Sequence, residues 1–316
     1  MSVLSRPYFH DEQAAFDFVE AIIWPQGPVC AHCGCTDKIT AIKPNPEKRV
    51  RYGLKKCRDC KGQFTVRMGT IFEESKLPMT KWLQAIFLMT AAKKGVSAHQ
   101  LHRTLEVTYK TAWFLAHRIR EAMRSGELAP FGQGGGDVEV DETYFARDRR
   151  FSHRGGKSMK GVVSLVDRST GRVRSIVVEN VTSRTVGKIV AENMAQEARL
   201  ITDSSNVYLR VGGTFSAHVS VNHSKEEYVS KLDPTVHTNT VEGFYSIFKR
   251  GMRGVYQHCA PKHLHRYMAE FDFRYSYRVR NGFDDNARAV KALEGVVGKR
   301  LTYRGGPNVR PQAAPV

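Results

Sequence analysis

Two pairs of cysteines constrain the N-terminal part of this 316-residue chain more than any other feature. Cys30-Ala31-His32-Cys33 and Cys57-Arg58-Asp59-Cys60 are each a Cys-x-x-Cys knuckle, with residues 34–56 between them. Each knuckle turns two thiolates toward one point, and four thiolates suit tetrahedral zinc. The spacing is that of a zinc ribbon, so Cys30, Cys33, Cys57 and Cys60 are the expected Zn²⁺ ligands. All cysteines except Cys259 lie between Cys30 and Cys60, and in an intracellular chain such crowding argues for metal rather than disulfides. His32 and Cys35 are spare and read as bystanders. Lys43, Lys48, Arg49, Arg51, Lys55, Lys56, Arg58 and Lys61 make the ribbon basic. Such a surface suits phosphates, and it equally suits a solvated face on a structural clip.

Charge narrows the class of partner. Lys and Arg number 49 against 31 Asp and Glu, a net charge of +18. Nucleic acid is the first partner such a balance implies, although ribosomal or membrane-surface binding gives the same sign. The sequence holds no apolar run long enough to span a bilayer and no N-terminal hydrophobic signal region. A cytoplasmic, nucleoid-associated protein with no membrane partner is the expectation.

The chain punctuates itself into segments. Residues 11–23 read as a helix capped by Asp11, which Trp24-Pro25 ends. With the ribbon and its closing strand, this gives a first domain over 1–75. Thr80–Ala92 reads as a helix with Leu83, Ile86 and Phe87 on one face. Ser97 opens a short helix to about Leu105, and Thr108 caps a longer one to about Arg124. Ala112, Leu115, Ala116 and Ile119 form the apolar stripe of that longer helix. Tyr109, Lys110, Trp113, His117 and Arg118 lie largely off it. A short helix, a turn and a longer basic helix make a helix-turn-helix pattern over 76–126, and those five residues are its candidate DNA contacts. Gly-rich residues 127–136 read as a flexible linker.

Beyond the linker the period changes. Val138–Tyr144, Gly161–Asp167 and Val173–Val178 read as strands of an antiparallel meander, with a basic loop over 147–160. Ser183–Ala198 reads as a helix, Leu200–Asp203 as a strand, Ser204–Arg210 as a short helix and His218–Asn222 as a fifth strand. The segment from His237 to Arg250 follows as an amphipathic helix. Its Val241, Phe244, Tyr245 and Phe248 form a core stripe. Asn239, Glu242, Ser246 and Lys249 share another face, which is either a solvated surface or a site. Pro261–Tyr277 has helical spacing, with strand-like alternation at its end. The candidate catalytic domain runs over 137–297, and the Gly/Pro-rich tail 298–316 reads as disordered.

The order β-β-β-α-β-α-β-α fits a ribonuclease H-like mixed sheet and leaves other α/β folds open. In that arrangement the first strand carries Asp141, the fourth ends on Asp203, and the helix after the fifth brings Asn239 and Glu242. Carboxylates gathered in this way repel one another unless divalent cations lie between them. Mg²⁺, or Mn²⁺, accepts a few carboxylates together with substrate phosphate and supports in-line phosphoryl displacement. Lys249, two turns from Glu242, suits a phosphate. Bland alternatives exist: Asp203 before Ser204-Ser205 also suits a helix N-cap, and Asp167 suits the turn Arg168–Gly171. Glu139 shares the face of Asp141, as an outer neighbour of the site or as a solvated strand end. Glu142 falls on the opposite face.

Several stretches together resemble an insertion-sequence DDE transposase of the zinc-ribbon, ISXO-like group. They are the two knuckles, Phe64–Phe72, Val140-Asp141-Glu142-Thr143-Tyr144, Val221-Asn222-His223-Ser224, His237–Phe244 and Lys249-Arg250-Gly251. The resemblance covers roughly residues 10–280. It implies a ribonuclease H-like catalytic domain, metal-dependent cleavage at element ends and strand transfer into target DNA. It also implies terminal inverted repeats as a partner and a homo-oligomer that joins two ends. In the group the third catalytic residue is Asn or Glu followed by a Lys, so Asn239 and Glu242 both stand as candidates with Asp141, Asp203 and Lys249. His237 and His223 are possible substrate contacts. Two other classes fit the pattern: a transposase-derived regulator that binds without cutting, and a metal-dependent nuclease without strand transfer.

Overall fold

The computed structural model describes residues 2–126, 129–147, 159–209, 211–222 and 227–302. The chain forms two compact units, one of residues 1–123 with 284–316 and one of residues 124–283.

In the first unit, helix α1 spans Glu12–Ile23, and the Asp11 carboxylate accepts the Ala14 N–H at 2.7 Å. Its Ala15, Phe16 and Val19 are buried. Strands β1 (Ile39–Ala41), β2 (Lys55–Cys57) and β3 (Gln63–Phe64) form an antiparallel ribbon, with Ile39 opposite Cys57 and Lys55 opposite Phe64. Helix α2 (Met79–Ala91) begins after Pro78, which carries no capping side chain. Glu12 of α1 supplies the cap instead, accepting Met79 N at 2.7 Å and Thr80 N at 3.2 Å. A carboxylate at a helix N-terminus is favoured by both the exposed N–H groups and the helix dipole. Helices α3 (Ala98–Leu105) and α4 (Tyr109–Met123) follow, with Ser97 capping α3 through Gln100 N. Helix α8 (Asp285–Glu294) packs on α2, and Arg288 donates to the Thr90 carbonyl at 3.0 Å. The candidate catalytic domain therefore stops short of residue 297. The ribbon and the three helices after it share one unit rather than forming two domains.

The second unit is built on a five-stranded sheet of β4 (Asp137–Arg147), β5 (Met159–Asp167), β6 (Val173–Val178), β7 (Arg199–Asp203) and β8 (Ala217–Val221). The spatial order is β6-β5-β4-β7-β8. The first three pair antiparallel as a meander, while β7 and β8 run parallel to β4. Helix α5 (Ser183–Asn193) covers one face, with Val186 and Val190 against Val138, Val140, Val163, Leu165 and Leu200. Helices α6 (Asn239–Gly251) and α7 (Leu264–Ser276) cover the other, with Val241, Phe244, Tyr245 and Phe248 against Val162, Val166 and Phe271. Burial of both faces is what the near-continuous apolar run of β5 requires.

Several expectations change. Residues 129–136 are not a free linker. Phe131 is buried in the core beneath α5, donates its N–H to the Asn193 carbonyl at 2.8 Å and accepts from Ala195 N at 2.9 Å. Gly132 gives its N–H to Asp167 at 3.1 Å. Its φ is +75°, and a Cβ there would lie 2.4 Å from the Ala198 side chain, so only glycine fits. Helix α5 ends at Asn193 because the chain turns to bridge Met194 to Phe131. Residues 206–209 form turns rather than a helix. The doubtful stretch Phe271–Tyr277 resolves as the end of helix α7, whose packing on β6 and α6 outweighs strand-like alternation. The tail from 303, most of the basic loop (148–158) and residues 223–226 with His223 lie outside the described residues.

Candidate catalytic and zinc sites

The parallel pairing of β4 and β7 sets Asp137 opposite Arg199, Val138 opposite Leu200 and Glu139 opposite Ile201. Two residues further along both strands stand Asp141 and Asp203. Equal steps in a parallel pair keep side chains on one face, here the face that α6 covers. Asp203 thus closes β7 at its carboxyl end, and Asp141 stands mid-strand in β4 beside that end. In open α/β sheets, ligands bind at the carboxyl edge.

The electrostatics fit that placement. Burial pushes the Asp141 carboxyl up to about 7 against the pull of the Glu142 N–H, and the charges of Glu142, Asp203 and Glu242 push it the same way. The Glu142 N–H donates to Asp141 Oδ1 at 2.8 Å, and the Tyr245 hydroxyl donates to the Asp141 carbonyl at 2.7 Å. Asp203 Oδ1 accepts from Ser205 N at 3.0 Å, so this carboxylate holds a turn rather than capping a helix. A partly desolvated cluster of mutually repelling carboxylates is the donor set a hard divalent cation satisfies. Asp141 is the most buried of these acids, with Asp203 and Glu242 near enough for their charges to raise it.

The third group sits on the first turn of α6. Asn239 begins the helix and is exposed, whereas Glu242 is half-buried and accepts the Thr238 hydroxyl at 2.7 Å. Lys249 is half-buried, with Nζ 5.9 Å from the centroid of the Tyr245 ring. Two further acids lie in this region. Glu142 lies across the sheet from Asp141, where burial raises its carboxyl, the Tyr208 hydroxyl donates to it at 2.5 Å and Asp203 raises it further. Glu139 is fully buried, not a solvated strand end. It accepts Arg168 Nε at 2.6 Å and the N–H groups of Thr240 and Val241 at 2.9 Å each. Arg168 had only the signal of a turn residue, and Tyr208 had none, because both partnerships span distant parts of the chain.

In the other unit the thiolates converge as the spacing requires. The Sγ atoms of Cys30, Cys33, Cys57 and Cys60 all lie within 4.8 Å of one another. The Cys30–Cys60 and Cys33–Cys57 Sγ pairs are 3.7 Å apart. Sulfurs at that separation are the corners of a tetrahedron with Zn–S bonds near 2.3 Å. The backbone N–H of Cys60 pulls the Cys57 thiol down to about 6, while the Cys33 thiol beside it is pushed up to about 12, so Cys57 is the first thiolate of the set. His32 and Cys35 stay outside, His32 against the Gln63 carbonyl and Cys35 against Asp37. Lys55 leaves the basic surface: it is buried, pairs with Glu20 at 2.6 Å and lies over the Trp24 ring.

The residues expected to face DNA from α4 divide. Tyr109 and Lys110 are exposed, and Trp113 is half-buried. His117 and Arg118 are buried and offer no open surface. The Arg118 guanidinium donates to the Glu73 carbonyl and stacks over Trp82 and Phe114, and burial pulls it down to about 10. Helical spacing put both off the stripe, but helix α4 is covered over a wider arc than that stripe.

A mixed sheet in this strand order, with Asp141 within its first strand, Asp203 at the end of its fourth and Glu242 on the helix after its fifth, defines a ribonuclease H-like nucleotidyl-transfer domain. Residues 133–276 match the ISXO2-like transposase domain, and residues 10–63 match the transposase zinc-ribbon domain. The chain belongs to the zinc-ribbon, ISXO-like group of insertion-sequence DDE transposases. It is 27% identical over 293 residues to an uncharacterised protein of the transposable element ISH50 from Halobacterium salinarum, covering 84% of this chain and 91% of that one. Among solved structures it is similar to the magnesium-bound integrase catalytic core of HTLV-2, at 11% identity and a TM-score of 0.27. That match covers 46% of this chain and 84% of that one. It is also similar to the simian T-cell lymphotropic virus intasome bound to the PP2A regulatory subunit B56 gamma, at 12% identity and a TM-score of 0.31. There the shares are 74% and 78%. Among the described residues, no helix is long and apolar enough to cross a membrane.

Proposed function

We propose that the protein is a DNA transposase that binds the terminal inverted repeats of its element, cuts DNA at those ends and joins the freed 3′ ends to target DNA. What supports this reading is that Asp203 at the end of β7 and Glu242 on α6 both raise the buried Asp141 carboxyl of β4, in a chain of this family. Divalent magnesium or manganese held there supplies Lewis acidity for in-line phosphoryl transfer.

The chain's own residues do the rest. Asp141 and Asp203 bind from neighbouring strands, and Glu242 closes the site from α6, with Asn239 one turn away as a neutral oxygen donor. Lys249 lies two helical turns from Glu242, suited to steady a backbone phosphate near the reacting one. Basic residues of the ribbon and the exposed Tyr109 and Lys110 of α4 bind the repeat, in the helix-turn-helix role. Two ends must be held together for transfer, so the active form is a homo-oligomer, working on chromosomal DNA in the cytoplasm.

The test uses the full-length protein and a supercoiled plasmid carrying the DNA that flanks its gene. Wild type should nick and join this DNA with Mg²⁺ or Mn²⁺. Asp141→Asn should bind the plasmid and leave it intact. Cleavage by Asp141→Asn at the wild-type rate would sink the metal-site reading. Wild-type binding without nicking would favour the regulator, and nicking without joining would favour a nuclease.

A further inference from the structure

The face of β4 that carries Asp141 also carries Glu139, two residues earlier. Its carboxylate is fully buried, which is costly for a charge unless every oxygen is satisfied. One oxygen accepts Arg168 Nε at 2.6 Å. The other accepts the N–H groups of Thr240 and Val241, both at 2.9 Å. Those are first-turn donors of α6, which have no partner inside the helix. Thr238, the residue before α6, makes no side-chain cap to them.

Arg168 extends the same hold to the segment leading into the helix. Its Nη2 donates to the His237 carbonyl at 2.7 Å and meets His237 Nδ1 at 2.8 Å, and its Nη1 donates to the Thr235 carbonyl. A planar guanidinium can make these bonds together with the one to Glu139, whereas an ammonium cannot. Arg199 holds the same segment one step earlier, bonding Asp233 at 2.9 Å and Thr235 Oγ1 at 2.8 Å while it pairs with Asp137 at 2.7 Å.

We propose that Glu139 and Arg168 are positioning residues, a buried ion pair that locks the first turn of α6 onto β4 and so fixes Glu242 and Asn239 relative to Asp141. This rests on the catalytic reading above for its consequence, but the clamp itself is a statement about α6. Both carboxylate oxygens of Glu139 already have partners within the protein. Its carboxylate is consumed by the helix amides and the guanidinium. It acts because Asp141 is two residues away on the same strand, and Glu242 is one residue beyond the last clamped amide.

Two readouts on the full-length, zinc-loaded protein test this. The variants are Glu139→Gln combined with Arg168→Met, which removes both buried charges and keeps side-chain volume, and Arg168→Lys alone. Replacing a buried pair by matched neutral groups commonly leaves the fold intact. Hydrogen exchange at the Thr240 and Val241 amides should quicken roughly tenfold or more, the loss expected from a charge-assisted hydrogen bond. Mn²⁺ affinity, measured by calorimetry on the folded protein, should fall by about 10–100-fold, as when an outer partner of a metal ligand is removed. A purely structural pair would lower the melting temperature and leave Mn²⁺ affinity per folded molecule unchanged, and that result overturns the proposal. Unchanged amide exchange in a folded variant also overturns it. If wild type itself takes up no Mn²⁺, the catalytic reading fails, while the exchange measurement still decides the clamp. Should the double variant not fold, Arg168→Lys carries both measurements.

Discussion

Tyr245 donates its hydroxyl to the carbonyl oxygen of Asp141 at 2.7 Å and reaches the Val162 carbonyl at 3.2 Å. The ring is buried in the core between α6 and the sheet, so the helix that brings Glu242 is pinned from its apolar side to the backbone of the strand that brings Asp141. Tyr245→Phe keeps the ring and leaves a carbonyl short of a donor. It should cost roughly 1–2 kcal/mol, read as a lower urea midpoint with unchanged slope.

Asp141 makes stability depend on pH. Its carboxyl is raised to about 7, mainly by burial, so the folded protein holds a proton that the unfolded chain has released. The stabilisation from this proton is complete below the unfolded value near 4 and is lost as pH rises through about 7. Without added divalent cation, the melting temperature of the catalytic unit should fall between pH 5 and pH 8. Asp272, also raised to about 7 by burial, contributes with the same sign. Asp141→Asn should flatten part of the decline. Millimolar Mg²⁺ should restore stability at pH 8 in wild type and much less in the variant.

The zinc ribbon should depend on its metal. Cys57→Ser removes a buried ligand that stands 3.7 Å from the Cys33 sulfur, and the bound zinc should drop from equimolar to well below it. Metal analysis reads the loss directly. Heat or denaturant should then unfold residues around the ribbon earlier, because metal binding is itself folding free energy for a small site of this kind.

The two ends of α4 should respond differently to truncation. Lys110→Ala removes an exposed cation and should weaken binding to any DNA, lowering the salt slope of log affinity by about 1. Arg118→Ala should leave that slope alone. It deletes a buried guanidinium that holds the Glu73 carbonyl, and should cost about 1.5–3 kcal/mol of stability. A salt titration and a urea melt on each variant separate the two roles.

Much of this arrangement is legible in the amino-acid sequence itself. Knuckle spacing named the four thiolates because zinc geometry demands it locally. Alternating and helical periods placed β4, β5, β6 and α6, since burial of one face writes itself into neighbouring positions. The same periods put Asp141 on a strand, Asp203 at a strand end and Glu242 on a helix. Tertiary structure alone decided the rest. Phe131 and Gly132 looked like linker until α5 and Asp167 claimed them, and α8 left the catalytic unit for α2. His117 and Arg118 became interior. Above all, Glu139 became the cap of a helix about a hundred residues away in sequence and Arg168 its counter-charge. A period reports which face a residue is on. A buried charge is settled by its partners, and those are brought together only when the chain folds.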